Sequence, residues 1–469
     1  MNLHLALLVA YSLAMVAVGL WMSRAVRTSA DFFVAGRTLS APLLFSTVLA
    51  ANIGAGTTIG AAGVGYRDGI SAWWWSGSAA IGSLVLALFV GPRIWRIAKA
   101  HGLYTVGDYL ELRYSGAVRG VITVLIWFGT LSILAGQLIG GAAILATVAG
   151  IPRETGIIAS ALVMTIYFVA GGLLSSAWVN MVQLVVLLGG FLLATPLVLG
   201  QVGGVAGAMS GPAVPETFDN FLYSAGGRSG WTFLFLLAPS FIISPGLLQK
   251  AYGASGPSAI RRGIGLQAIA LALFALLPAL LGMSARAAHP GIIDPSLVLP
   301  TVLIEQLPTM LSALALAAVF SAEVSTCDAI LFMLSTSLSQ DLYRRFLRPA
   351  ATDAQLLRVA RYAAIAGAIG GVLLAIRLPT VTAALGIFYS LLSVTLFVPI
   401  VGGLYTRRAG TPEAMAAIAT GGLVALAAIF IPHRPAWWLD PAVAGLLAAA
   451  LAFLAVMAGR GRSRSISVQ

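Results

Sequence analysis

The sequence has little charge. Only 9% of its 469 residues are Asp, Glu, Lys or Arg, against 59% hydrophobic residues and a mean hydropathy of +0.97. Soluble domains carry roughly a quarter charged residues, so this composition excludes a soluble globular chain and makes lipid the expected solvent. Cysteine is nearly absent: Cys327 stands alone, which excludes a disulfide within the chain and any cysteine-based metal framework. The four histidines, His4, His101, His289 and His433, lie near the ends of apolar runs and form no metal pattern. No polar segment is long enough to house a soluble domain. The net charge of +12 would point to nucleic acid or an acidic partner if the basic residues were gathered in one patch or tail. Here they are scattered in short clusters between apolar stretches.

What is present is a long series of apolar runs. A helix needs about 20 apolar residues to cross the hydrocarbon core. Candidate spans fall at 3–23, 40–66, 72–95, 120–149, 155–171, 178–200, 231–249, 263–284, 308–339, 359–376, 381–404, 412–431 and 438–458, about thirteen in all. The first has no basic residue before it and is followed by Arg24 and Arg27, the reverse of a cleaved leader, so it reads as a retained helix. Lys and Arg should collect in alternate loops. Twenty-one of the 27 fall on one side, among them Arg93, Lys99, Lys250, Arg344 and Arg407, and six on the other: Arg67, Arg153, Arg228, Arg286, Arg377 and Arg434. The expected topology is an all-α integral membrane protein in the cell (inner) membrane, N-terminus outside and C-terminus cytoplasmic. A single transporter domain spans 1–469, with its core at about 40–404. The outside loop at about 201–230 is either irregular or carries a short surface helix near Phe218, Phe221 and Trp231.

Transporters often mark their sites with helices interrupted by Gly or Pro at corresponding positions of two repeats. The second span carries Ala50-Ala51-Asn52-Ile53-Gly54-Ala55-Gly56-Thr57-Thr58, and the seventh carries Ala238-Pro239-Ser240-Phe241-Ile242-Ile243-Ser244-Pro245-Gly246. The offset of five spans predicts a five-plus-five inverted repeat of helices 2–6 and 7–11. The alternative is that these glycines only permit close helix packing. In the ninth span Ala322, Ser325 and Thr326 share one face at i, i+3, i+4. Two hydroxyls and a carbonyl loosened by back-bonding suit a hard cation, although Ser and Thr also bond simply to their own helix or a neighbour. Glu323 and Asp328 lie in the same span, and an ionisable group at that depth is a functional candidate. Gln137, Asn180 and Gln183 are further buried polar candidates, each also explicable as an interhelical hydrogen bond. No Lys or Arg is expected inside the helices, which argues for a neutral solute, although broken-helix amides can bind a carboxylate without a cation and a cationic solute attracted by Glu323 is the other alternative.

Several motifs in order resemble one family. They are Asp31-Phe32-Phe33-Val34-Ala35-Gly36-Arg37, Ala50-Ala51-Asn52-Ile53 with Gly63-Val64-Gly65-Tyr66, Gly171-Gly172 with Trp178 and Gln183, Gln249-Lys250, and Ser325-Thr326 followed by Asp341-Leu342-Tyr343. The pattern resembles the sodium:solute symporters and covers most of the chain. The resemblance implies a LeuT-like core in helices 2–11, helices 1, 12 and 13 peripheral, and inward symport of a small polar organic solute by alternating access. It implies sodium as coupling ion, no cofactor, no enzymatic activity, and no partner beyond solute, sodium and bilayer. Carried over by motif, the principal sodium site falls on the carbonyls of Ala50, Ile53 and Ala322 and the hydroxyls of Ser325 and Thr326. The solute then lies near Asn52, Thr57, Gln137 and Ser244. Where many members read Trp-Thr-Asp, this chain reads Trp178-Val179-Asn180, and Asp328 stands where members carry Ser or Asp. Asn180 and Asp328 are therefore a candidate second cation site, and Glu323 has no family role. Proton coupling through Glu323 or Asp328 is the competing transport reading. A membrane sensor is another, with no output domain expected after the last span, since the chain ends at Gln469.

Overall fold

Apart from an isolated bridge between Leu39 and Ala254, every regular element among the described residues is helical. The computed structural model describes residues 3–22, 37–170, 173–210, 214–223, 230–431 and 437–460. The helices are α1 (Leu3–Met22), α2 (Ala41–Asn52), α3 (Ala61–Asp68), α4 (Trp73–Val85), α5 (Gly91–His101), α6 (Val106–Arg113) and α7 (Gly116–Ala149). They continue as α8 (Arg153–Ala170), α9 (Leu173–Gln201), α10 (Phe233–Ile243), α11 (Pro245–Tyr252), α12 (Pro257–Phe274), α13 (Leu276–Ala288) and α14 (Val298–Gln306). The last are α15 (Thr309–Thr336), α16 (Asp353–Arg377), α17 (Val381–Thr395), α18 (Phe397–Tyr405), α19 (Thr411–Ile429) and α20 (Pro441–Gly459). A short helix, Gly204–Ala208, does lie in the loop after α9.

Ten helical runs among the described residues are long and apolar enough to cross a membrane, and α2 is a shorter apolar helix beside them. The ten fall short of the thirteen expected spans because the run Gly56–His101 joins the end of the second to the third, α1 counts only as a shorter apolar helix over Leu3–Ala14, and α8 is not among the ten. The run Gly56–His101, with 46 residues, would reach about 70 Å if straight, more than twice the thickness of the hydrocarbon core. It turns instead at Gly69, whose φ of 73° is open to glycine. A Cβ there would also overlap the backbone of Phe218, whose carbonyl accepts from Ile70 N at 2.9 Å.

The packing is reciprocal. α4 lies along α10, while α12 and α13 lie along α2 and α3. α7 packs on α17, and α9 packs on α15. α7 also meets α8 as α15 meets α16, and α7 touches α15 directly. Exchanging α2–α3 with α10–α11, α4 with α12–α13, α7 with α15, α8 with α16 and α9 with α17–α18 maps this contact set onto itself, as a two-fold relation between repeats requires. Outside that set α1 packs on α15, and α19 pairs with α20. At one end of the bundle Arg119 of α7 pairs with Asp341 at 2.7 Å, Asp108 at 2.8 Å and Glu111 at 2.8 Å. Arg345 and Arg119 hold the Glu111 carboxyl below its usual range. This network ties α6 and α7 to the wide helical turn Ser337–Leu347 that continues α15.

Where α3 crosses α13 the backbones touch: a Cβ on Gly65 would overlap Ala279, and one on Gly282 would overlap Ala62. Overpacking a close contact costs about 1–3 kcal/mol. Gly282→Val should lower the apparent thermal unfolding midpoint in detergent, whereas Gly422→Val, where a Cβ meets nothing within 4 Å, should not. Equal midpoints for the two variants would contradict this packing.

Candidate functional site

The site begins with a gap in a helix. α2 ends at Asn52 because Ile53 is extended, with φ −103° and ψ 95°. Helix resumes as the wide turn Gly56–Gly60 leading into α3. In an unbroken helix Ala50 O would take Gly54 N, and Ile53 O would take Thr57 N. Here Gly54 N donates to Thr57 Oγ1 at 3.0 Å and Thr57 N to Gly54 O at 3.0 Å. The carbonyls of Ala50 and Ile53 are thereby released from helix bonding.

Both released carbonyls face α15. Ser325 Oγ lies 3.0 Å from Ala50 O and 3.0 Å from Ala322 O. Thr326 Oγ1 lies 3.2 Å from Ala50 O and 3.1 Å from Ile53 O. Four oxygen–oxygen contacts thus share two hydroxyl protons, so two of the four lack a proton at any moment. Five neutral oxygens converging in this way can hold a hard monovalent cation by turning hydroxyl lone pairs inward. These are the five atoms singled out in the sequence, brought together from positions some 270 residues apart.

Asn52, Thr57, Gln137 and Ser244 line one cavity beside this cluster, with Phe241, Met333, Phe388 and Tyr389 among its other walls. Gln137 Oε1 accepts from Ala55 N at 2.8 Å, so α7 braces the gap. Gly54 must be small there, since a Cβ would overlap Thr326 Oγ1 and Gln137 Oε1. Trp75 Nε1 donates to Gly56 O at 2.8 Å, and its ring packs edge-on against Phe233 and Tyr389. The second gap is at Ser244, with φ −49° and ψ 123°, after which Pro245 opens α11.

Lys250 corrects the expectation that the helix interiors lack a basic residue. Counted above with the loop residues, it instead belongs to α11, is 1% exposed and lines the same cavity. Its ammonium donates to Thr47 Oγ1 at 2.7 Å and lies within electrostatic reach of Asp328. The signal was available: Gly246 and Lys250 are four apart, so a helix started by Pro245 turns both to one side. Asp328 is 4% exposed, and the side chain of its suggested partner Asn180 lies outside the described residues. So do Asp31–Gly36, Gly171, Gly172 and the side chain of Trp178; Arg37 is described and donates to the carbonyls of Tyr252 and Leu103. Glu323 is fully buried, 3.3 Å from Thr58 Oγ1. Gln183 is 1% exposed, and its carbonyl accepts from Ser321 Oγ.

A buried charge is destabilised, by up to about 3–5 kcal/mol, when the opposite charge within its reach is removed. Lys250→Met should therefore destabilise the protein strongly, and adding Asp328→Asn should restore part of the loss. Thermal unfolding of the two variants checks this; a double variant less stable than Lys250→Met would contradict the pairing.

The comparisons with known proteins agree with the geometry. Residues 32–421 match the model of the sodium:solute symporter family. The chain is 28% identical to the sodium/pantothenate symporter of Escherichia coli (strain K12), covering 95% of this chain and 94% of that one. It is 26% identical to the sodium/glucose cotransporter of Vibrio parahaemolyticus, covering 78% and 73%. In fold it is similar to a sodium-coupled sialic acid symporter in a substrate-bound outward-open state, with a TM-score of 0.80, 20% identity and 99% and 100% coverage. It is also similar to a closed transporter of the nucleobase-cation-symport-1 family, with a TM-score of 0.60, 14% identity and 94% and 98% coverage. A match over so much of the length, joined to a broken helix facing a Ser-Thr pair, makes this chain a member of the sodium:solute symporter family.

Proposed function

We propose that the protein carries a small polar organic solute into the cell together with sodium, by alternating access around the two broken helices. Membership of the family makes it a multi-pass membrane transporter and not an enzyme, with sodium as coupling ion and no cofactor. The observation that carries the reading is the convergence of Ala50 O, Ile53 O, Ala322 O, Ser325 Oγ and Thr326 Oγ1. On this reading they hold the principal sodium ion, drawing α2 and α15 together. The solute occupies the adjoining cavity, touching Asn52, Thr57, Gln137 and Ser244. Lys250 on the same wall removes the ground for expecting a neutral solute; the relatives' names include a carboxylic acid, pantothenate, and a neutral sugar, glucose. Asp328 remains a candidate for a second cation position with Asn180, in competition with the Lys250 ammonium for its charge.

The topology proposed with this mechanism has about thirteen crossings in a single domain, a five-plus-five inverted repeat, the N-terminus outside and the C-terminus inside. The reciprocal packing of α2–α9 and α10–α18 supports the repeat. An odd count puts the termini on opposite sides, so tags at the two ends should be reached by impermeant label from opposite faces; labelling from one face would exclude it.

Uptake into proteoliposomes tests the function. With pantothenate, glucose and sialic acid as starting probes in a wider panel of labelled polar solutes, accumulation should require an inward sodium gradient. Gln137→Ala should lower uptake on the order of tenfold, since an unmet buried backbone N–H costs about 1–3 kcal/mol. Accumulation driven by a pH gradient without sodium would transfer the coupling role to a proton.

A further inference from the structure

Glu323 is not used by any step above. It sits at the middle of α15 with no exposed surface, next in sequence to Ala322. The elements packed on it are the broken helix, which offers Thr58 and the Ala55 backbone, and α7, which offers Gly140. A Cβ on Gly140 would lie 3.1 Å from Glu323 Oε2, so glycine makes the space this carboxyl fills. The charged and titratable groups nearest along α15 are Cys327 and Asp328, and Asp328 already has the Lys250 ammonium within reach. Among the described residues no Lys, Arg or His acts on Glu323.

The hydrogen bonding around it is incomplete. Thr58 has one hydroxyl proton, and its better acceptor is Gly54 O at 2.9 Å rather than Glu323 Oε1 at 3.3 Å. Oε2 has no partner. A carboxylate whose Oε2 has no partner and a hydroxyl whose proton is already given to Gly54 O therefore stand together, beside the Gly54 carbonyl, which lies one peptide past Ile53 and is filled by Thr57 N and Thr58 N.

We propose that the Glu323 carboxylate and Thr58 Oγ1 form a second sodium site. The donors are hard oxygens, which suit an alkali or alkaline-earth cation. One negative charge balances one monovalent ion, whereas a divalent ion would leave a net buried charge, which is costly inside a membrane. Both ions would bridge the broken helix and α15, one through Ile53 O and Thr326 Oγ1 and the other through Thr58 Oγ1 and Glu323. This inference rests on the principal-site reading, and the experiment separates the two.

The test is sodium-22 binding to the purified full-length chain in detergent, with potassium or choline holding ionic strength constant. Glu323→Gln keeps the side-chain shape and removes the charge; it should halve the sodium bound at saturation. Thr58→Val keeps Glu323 and should weaken the second phase by at least the roughly tenfold that loss of a supporting hydrogen bond costs a metal site. Circular dichroism and gel filtration establish that both variants fold. Wild-type sodium capacity in folded Glu323→Gln overturns the proposal, as does a capacity unchanged by Glu323→Gln together with proton uptake and release in wild type alone, which would make Glu323 a proton carrier. Ser325→Ala with Thr326→Ala should remove the other half of the bound sodium. If that pair leaves capacity intact while Glu323→Gln lowers it, the principal-site reading fails and the second site stands.

Discussion

The gap between Asn52 and Gly56 is the constraint on which the rest of the arrangement depends. A helix in a membrane satisfies its own backbone, and interrupted backbone survives there only where protein or a cavity supplies partners. At this gap Thr57 turns back onto Gly54 N, Gln137 takes Ala55 N, and Trp75 takes Gly56 O. With those groups met locally, two carbonyls remain to face Ser325 and Thr326. The small size of Gly54 lets α7 and α15 close on the gap from two sides. A binding site thus appears where helix hydrogen bonding is redistributed, without any charged ligand among its five oxygens.

Charge in the core is placed around that neutral cluster and not within it. Lys250 bonds to Thr47 of α2 and lies near Asp328 of α15, so a cation of the protein's own joins the broken helix to α15 on the cavity side. Glu323 lies on α15 beside Ala322 and reaches Thr58, past the gap. Further out, Arg119 gathers three carboxylates from α6 and the continuation of α15. The broken helix, α6 and α7 are thus joined to α15 and its continuation by polar contacts, whereas α3 and α13 meet through glycine and backbone.

Much of the candidate site was legible because it is written in local spacing. Ser325 and Thr326 with Ala322 mark a helix face, and Asn52 through Thr58 mark a broken helix; their meeting followed from family pattern. Lys250 was misread because a basic residue after an apolar run looks like a loop, and only the restart of helix at Pro245 carries it inside. The partner of Glu323 was out of reach since Thr58 is 265 residues away and no spacing connects them. The turn at Gly69 falls in the break expected between the spans 40–66 and 72–95, but what holds it, a positive φ and Phe218 far along the chain, was not readable.

Thermal stability of the purified protein in sodium, set against choline at equal ionic strength, tests the central claim most directly. A ligand that binds only the folded state at a hundred times its dissociation constant adds about 2.7 kcal/mol. The account predicts that sodium raises the unfolding midpoint of the wild type, and that Ser325→Ala with Thr326→Ala loses most of this rise while unfolding normally in choline. A sodium-dependent rise of the same size in the double variant would contradict it.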